Sequence, residues 1–224
     1  MMIRNLNYFQ RQHGRRIVPI EVGVMNDIGG MTEEMISIDE FVRSFLISST
    51  KKICWPLSSS SSSGIAYLAQ HELFKQIPEL MESIEASPRL CGDDGPIRMN
   101  VWMGTGGTRT PLHFDSFDNL FVQIVGAKYV RLYGIEETEK LYIIRSKGAN
   151  SNLDLATYGK QGNMSAVNCE IDDFVESEKC RFPKAKEAIY REVVMFPGDC
   201  LFIPARVWHY VRSLSTSISV NYWW

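Results

Sequence analysis

Short runs in which apolar residues alternate with polar ones, or follow one another unbroken, fill the C-terminal half of the chain. They read IRMNVWM (97–103), TPLHFD (110–115), NLFVQIV (119–125), AKYVRLY (127–133), AIYREVVMF (188–196), CLFIP (200–204), WHYVRSL (208–214) and SISVNYWW (217–224). Turn residues separate them: GTGG at 104–107, Gly126, and PGD at 197–199. Many short strands with such punctuation predict an all-β barrel or sandwich. The stretch from Ser146 to Lys186 breaks the rhythm and reads as a polar insertion between two strands. The chain therefore divides into an N-terminal part, 1–96, packing on a β core, 97–224, with the insertion at about 146–186.

The N-terminal part is less regular. RIVPIEVGV (16–24) is rich in β-branched residues and predicts a strand, with Pro19 favouring a sheet edge. SIDEFVRSFL (37–46) predicts a helix. Ser37 and Glu40 form a capping box, and Ile38, Phe41, Val42 and Phe45 recur at helical spacing. Ser58 to Ser63 is a serine run followed by Gly64, with nothing to bury, and predicts a loop. GIAYLAQHELF (64–74) opens an apolar stretch. IPELMESIE (77–85) predicts a short helix with Pro78 in its first turn.

Composition narrows the function classes. Of 224 residues, 45% are hydrophobic and 11% aromatic, enough for a sizeable core. A net charge of −2 offers no basic field for nucleic acid, so no direct nucleic-acid partner is expected. Five scattered cysteines without a CxxC argue against a disulfide framework or a zinc knuckle. Met1 to Arg16 is polar and basic, unlike a signal peptide, and no apolar run approaches a membrane span. A protein of the nucleus or cytoplasm, without membrane association, is the expectation.

The chemistry concentrates in Pro111-Leu112-His113-Phe114-Asp115. On a strand, residues two apart share a face, so His113 and Asp115 would project together. The chain holds four histidines, and His209 follows the turn and strand PGDCLFIP. In a jelly roll, strands far apart in sequence lie side by side, which lets His209 complete a site with His113 and Asp115. A lone HxD pair arises often by chance, and a lone histidine is usually a packed core residue. The combination on short strands points instead to a metal. Two imidazoles and one carboxylate leave three positions open, the iron(II) oxygenase arrangement, with room for 2-oxoglutarate and O2.

The far carboxylate of 2-oxoglutarate needs a cation in an apolar setting. Lys128 shares a strand face with Val130 and Leu132, whereas the rival Arg131 lies on the opposite face with Tyr129 and Tyr133. Thr110 offers a hydroxyl beside the HxD pair, and Asn119 an amide. Tyr67 could donate a phenol, and Trp223 shares a face with Ser219 and Asn221, although for either aromatic alone ordinary core packing is the stronger reading.

These segments, from VPIEVG (18–23) and YLAQHELFKQIPEL (67–80) to SISVNYWW (217–224), resemble the jumonji-C domain oxygenases of the cupin superfamily over nearly the whole chain. The resemblance implies a mainly β fold with peripheral helices, a double-stranded β-helix or jelly roll. It implies iron at His113, Asp115 and His209, and 2-oxoglutarate at Tyr67, Thr110, Asn119, Lys128 and Trp223. It also implies a substrate cleft with Glu21 and Trp102. A tyrosine of that cleft aligns near Asn26, a departure from the pattern.

The activity implied is iron(II)- and 2-oxoglutarate-dependent oxygenation of a protein side chain, foremost arginyl hydroxylation. Glu21 could pair with a guanidinium and Trp102 could stack on it. The alternatives are N-methyl-lysine demethylation and a catalytically silent cupin-like binding domain. A zinc or manganese cupin enzyme that does not use 2-oxoglutarate is a further one. The expected partner is a protein or peptide carrying arginine or methyl-lysine, of histone or ribosomal type.

Overall fold

The structure is a computed structural model that describes residues 2–23, 31–47, 64–84, 88–144, 162–169 and 181–224. The serine run at 58–63 and Asn26 lie outside them, as does most of the 146–186 insertion.

Eleven strands form two antiparallel sheets among the described residues. They are β1 (Ile17–Gly23), β2 (Thr32–Ser37), β3 (Ile65–His71), β4 (Arg98–Gly104), β5 (Arg109–His113), β6 (Asn119–Val125), β7 (Lys128–Tyr133), β8 (Tyr190–Met195), β9 (Cys200–Ile203), β10 (Trp208–Ser213) and β11 (Ser217–Trp223). The larger sheet runs β2-β1-β3-β4-β11-β6-β9 and the smaller β5-β10-β7-β8. From β4 onward the chain passes back and forth between the two sheets, as a jelly roll requires. The expected double-stranded β-helix is the fold found.

Strand alternation decides what each face carries. On β11, Ile218, Val220 and Tyr222 point to one side, joined there by Val101 and Met103 of β4 and Leu120 and Ile124 of β6. This apolar face buries against helix α1 (Leu6–His13) through Phe9, and against α2 (Ile38–Phe41) through Ile38 and Phe41. The opposite face of the same strands carries Asn100, Trp102, Asn119, Phe121, Asn221 and Trp223. It looks toward the smaller sheet across a pocket. The chain thus spends its aliphatic residues on the helix-covered face and its polar and aromatic ones on the interior between the sheets.

Several elements differ from the sequence reading. β2 pairs with β1 from Ile17↔Ser37 to Val22↔Thr32. Its TEEMIS sequence shows no apolar alternation because this edge strand is largely exposed. Pro19 therefore sits on an inner strand, but β3 pairs only with Glu21 to Gly23 of β1, so the missing N–H lies beyond the ladder on that side. Ser37 does cap α2, its side chain accepting the Glu40 N–H at 3.2 Å. After Phe41 the predicted helix widens into a π-helical stretch, Val42–Ile47. Pro78–Ser83 is a 3-10 rather than an α-helix. Part of the insertion rejoins the small sheet, bridging Met164 to His113 and Ser165 to Ile143.

Candidate metal centre and cosubstrate pocket

β10 lies between β5 and β7, and the register sets His209 directly opposite His113. The imidazole centroids are 4.1 Å apart. Asp115 is not on the strand as expected: β5 ends at His113, and Asp115 sits in the turn that follows. That turn is held at two points by the segment before β10. The Asp115 carbonyl accepts the Arg206 N–H at 2.8 Å, and the Asp118 carboxylate accepts the Ala205 N–H at 2.7 Å. The segment leading into β10 thereby carries Asp115 to the imidazoles. Its carboxylate oxygens lie 3.7 Å from His113 Nε2 and 3.6 Å from His209 Nε2. One ligand atom from each of the three residues lies within 4.8 Å of the others.

The imidazoles are oriented for ligation. His113 Nδ1 lies 2.8 Å from the Pro111 carbonyl and His209 Nδ1 lies 3.0 Å from the Val207 carbonyl. A carbonyl can only accept, so Nδ1 carries the proton and each Nε2 lone pair faces the cluster. Burial, reinforced by the neighbouring His113, pushes His209 down to about 3. It is neutral at physiological pH, as a ligand must be. Burial also raises Asp115, partly offset by His113. A cation between the three side chains would reverse that, because opposite charge favours the ionised carboxylate.

Lys128 starts β7, is only 1% exposed, and reaches into the pocket shared with the cluster. Its Nζ lies 3.5 Å from Tyr67 Oη and packs over the Tyr67 and Phe121 rings at 5.5 and 5.3 Å. No acid pairs with it among the described residues, and burial alone pulls it down to about 7. A buried ammonium without a counter-ion is costly, so the pocket is built for an anion brought from outside. Trp223 makes the same point: its Nε1–H is buried without a hydrogen-bond partner among the described residues. Thr110, Asn119 and Tyr67 line the pocket as well. The donor set fits a dicarboxylate, and all five residues proposed from sequence for the cosubstrate converge there.

Trp102 lines the same pocket with its ring 5.8 Å from Tyr67. Glu21 lies further out, on β1 opposite Tyr67 in register and on the same face of the sheet. Arg131 turns away, donating to Tyr129 Oη at 2.6 Å and to the Cys169 carbonyl at 2.8 Å. Sequence reasoning missed two contributors. Asn221 accepts the Trp102 indole N–H at 2.9 Å. Gly104 lets Tyr67 approach, since a Cβ there would stand 2.7 Å from Tyr67 Cδ2. Gly104 sits within the GTGG turn signal, which masks in the sequence its packing role at the end of β4.

Comparison with known proteins agrees with this geometry. A family model described as a cupin-like domain matches residues 23–224. Among similar proteins, a JmjC domain-containing protein F of Dictyostelium discoideum is 36% identical over 98% of this chain and 53% of its own length. A lysine-specific demethylase 8 of Danio rerio is 37% identical over 98% of this chain and 48% of its own. A jumonji C domain-containing protein 5 of Drosophila melanogaster is 31% identical over 98% and 50%. The chain spans about half the length of these relatives. A barrel that gathers two histidines and an aspartate beside a buried lysine, matched by that family model over nearly all its length, belongs to the cupin-like domain family of the jumonji-C type.

Proposed function

We propose that this chain is an iron(II)- and 2-oxoglutarate-dependent dioxygenase that hydroxylates a protein side chain, arginine foremost. The observation that carries it is Lys128, a buried amine with no acid beside it among the described residues, in one pocket with the His113, Asp115 and His209 cluster. When bound, iron(II) with 2-oxoglutarate and O2 supplies oxidative decarboxylation to succinate and carbon dioxide, coupled to insertion of one oxygen into a C–H bond.

The chain's own residues position these partners. The two imidazole Nε2 atoms and the Asp115 carboxylate would hold the metal, the carboxylate oxygens lying 3.7 and 3.6 Å from the Nε2 atoms of His113 and His209. Lys128 and Tyr67 take the distal carboxylate of the cosubstrate, with the Thr110 hydroxyl on the same wall. Phe121, Ile203 and Val211 exclude water from the inner end. At the outer side, Trp102 offers a ring to a guanidinium and Glu21 a carboxylate.

The test is turnover with mass readout. Iron-loaded protein with 2-oxoglutarate is offered arginine and methyl-lysine peptides. Succinate release with a stable gain of one oxygen on an arginine peptide is the expected result. A second reading is favoured by the relative named as a lysine-specific demethylase. Loss of methyl from lysine, with formaldehyde and no oxygen gained on arginine, would establish that reading and reject the first. A third reading is a domain of this fold that only binds. Absence of succinate with every peptide and without peptide would favour it.

A further inference from the structure

The pocket's far wall contains an amide chain that sets its polarity. Asn221 is 1% exposed on β11, between β4 and β6. Its Oδ1 accepts the Asn100 Nδ2–H at 3.2 Å and the Trp102 Nε1–H at 2.9 Å. Its Nδ2 donates to Asn119 Oδ1 at 3.2 Å.

The order of these contacts is dictated by one group. An indole N–H can only donate, so Trp102 forces the Asn221 oxygen toward itself. The Asn221 NH2 must then face Asn119, which answers with its own oxygen. The Asn119 NH2 takes no part in this amide chain, and Asn119 lines the cosubstrate pocket. A flip at either asparagine would oppose two oxygens or two NH2 groups in a buried site, at the cost of an unsatisfied polar group.

We infer that Asn221 is a positioning residue that couples Trp102, on the peptide side, to Asn119, on the cosubstrate side, and fixes the Asn119 NH2 as a donor toward the bound cosubstrate. It rests on the dioxygenase reading only for the identity of the ligand. The amide order stands independently of it. Substrate stacking on Trp102 and cosubstrate binding at Asn119 then share one hydrogen-bonded element, which gives them a physical route for coupling.

The experiment has two arms. In the first, hydrogen exchange at the Trp102 indole N–H is measured by NMR in the ligand-free protein. Asn221→Leu removes its acceptor and should accelerate exchange at least tenfold. Asn221→Asp keeps an acceptor and should leave the rate near wild type. Equal exchange in wild type and Asn221→Leu would overturn the inference. Should the leucine variant fail to fold, Asn221→Ser, too short to reach the indole, carries the same expectation.

In the second arm, 2-oxoglutarate binding to the manganese-loaded protein is measured by calorimetry as a double-mutant cycle. Asn221→Leu should weaken binding about tenfold in the wild-type background and less than twofold in an Asn119→Ala background. Equal loss in both backgrounds would show that Asn221 acts directly or only structurally, and would also overturn the inference. A wild-type protein that binds no 2-oxoglutarate would instead remove the dioxygenase reading. The exchange arm would then decide the amide order by itself.

Discussion

Replacing Lys128 by methionine should make the ligand-free protein more stable while removing its cosubstrate affinity. Lys128 is fully enclosed, has no acid beside it among the described residues, and falls from its ordinary 10.5 to about 7 through burial. At 1.36 kcal/mol per pH unit this difference represents a cost on the order of 5 kcal/mol when the amine must be charged in the folded state. The sign follows from proton binding. Between about pH 7 and 10.5 the unfolded chain holds the proton that the folded chain has lost, so wild-type stability rises with pH across that window. Below pH 7 the whole penalty is present. Methionine keeps the volume and drops the charge, so repacking costs little. In a domain of this size each kcal/mol moves Tm by roughly 2–4 °C. Thermal unfolding from pH 6 to 10 should show the variant melting well above wild type at pH 7, with the gap closing as pH rises. Added 2-oxoglutarate should raise the wild-type Tm and leave the variant unmoved. A variant that melts below wild type at pH 7, or that 2-oxoglutarate protects equally, would refute the reasoning.

Other outcomes follow from the same geometry. His113→Ala and Asp115→Ala each remove one of three candidate ligands and should abolish turnover and stoichiometric iron retention, checked by metal analysis after desalting. Chelation should silence the wild-type enzyme, and ferrous iron should restore it, where zinc does not. Gly104→Ala places a methyl 2.7 Å from Tyr67 Cδ2 and 2.8 Å from the Ala66 carbonyl. It should raise the KM for 2-oxoglutarate several-fold and lower stability by about 1–3 kcal/mol, readable by steady-state kinetics and denaturant melts. Trp102→Phe keeps the ring and loses the N–H given to Asn221. It should weaken 2-oxoglutarate binding several-fold, and unchanged affinity would separate Trp102 from the cosubstrate wall.

The core strands were legible because one face of each is apolar against helices and the other is polar or aromatic toward the pocket, so SISVNYW and NLFVQIV show a two-residue period. β2 was not legible. An edge strand with Glu33, Glu34 and a 63% exposed Met35 has no buried face to write into the sequence. Helix α1 carries little signal in the sequence for a similar reason: of LNYFQRQH, only Phe9 and His13 are buried. The three candidate ligands are readable from spacing even though Asp115 lies past the strand end. What held Asp115 in place, hydrogen bonds from the 204–206 turn, depends on tertiary contact. Lys128 is marked in the sequence by the apolar neighbours on its face, whereas the absence of an acid beside it among the described residues depends on the fold. Asn221 was noted only as a face-mate of Trp223. Its role comes from side-chain hydrogen bonds across three strands, which no periodicity encodes.

The most direct measurement is an anaerobic titration of the iron(II)-loaded protein with 2-oxoglutarate, followed by visible absorption. Chelation of the ferrous site by the 2-oxoacid should produce a saturable charge-transfer band in wild type, a band shifted to far higher 2-oxoglutarate in Lys128→Met, and none in His209→Ala. Wild-type protein that holds one iron per chain yet develops no band at saturating 2-oxoglutarate would contradict the account.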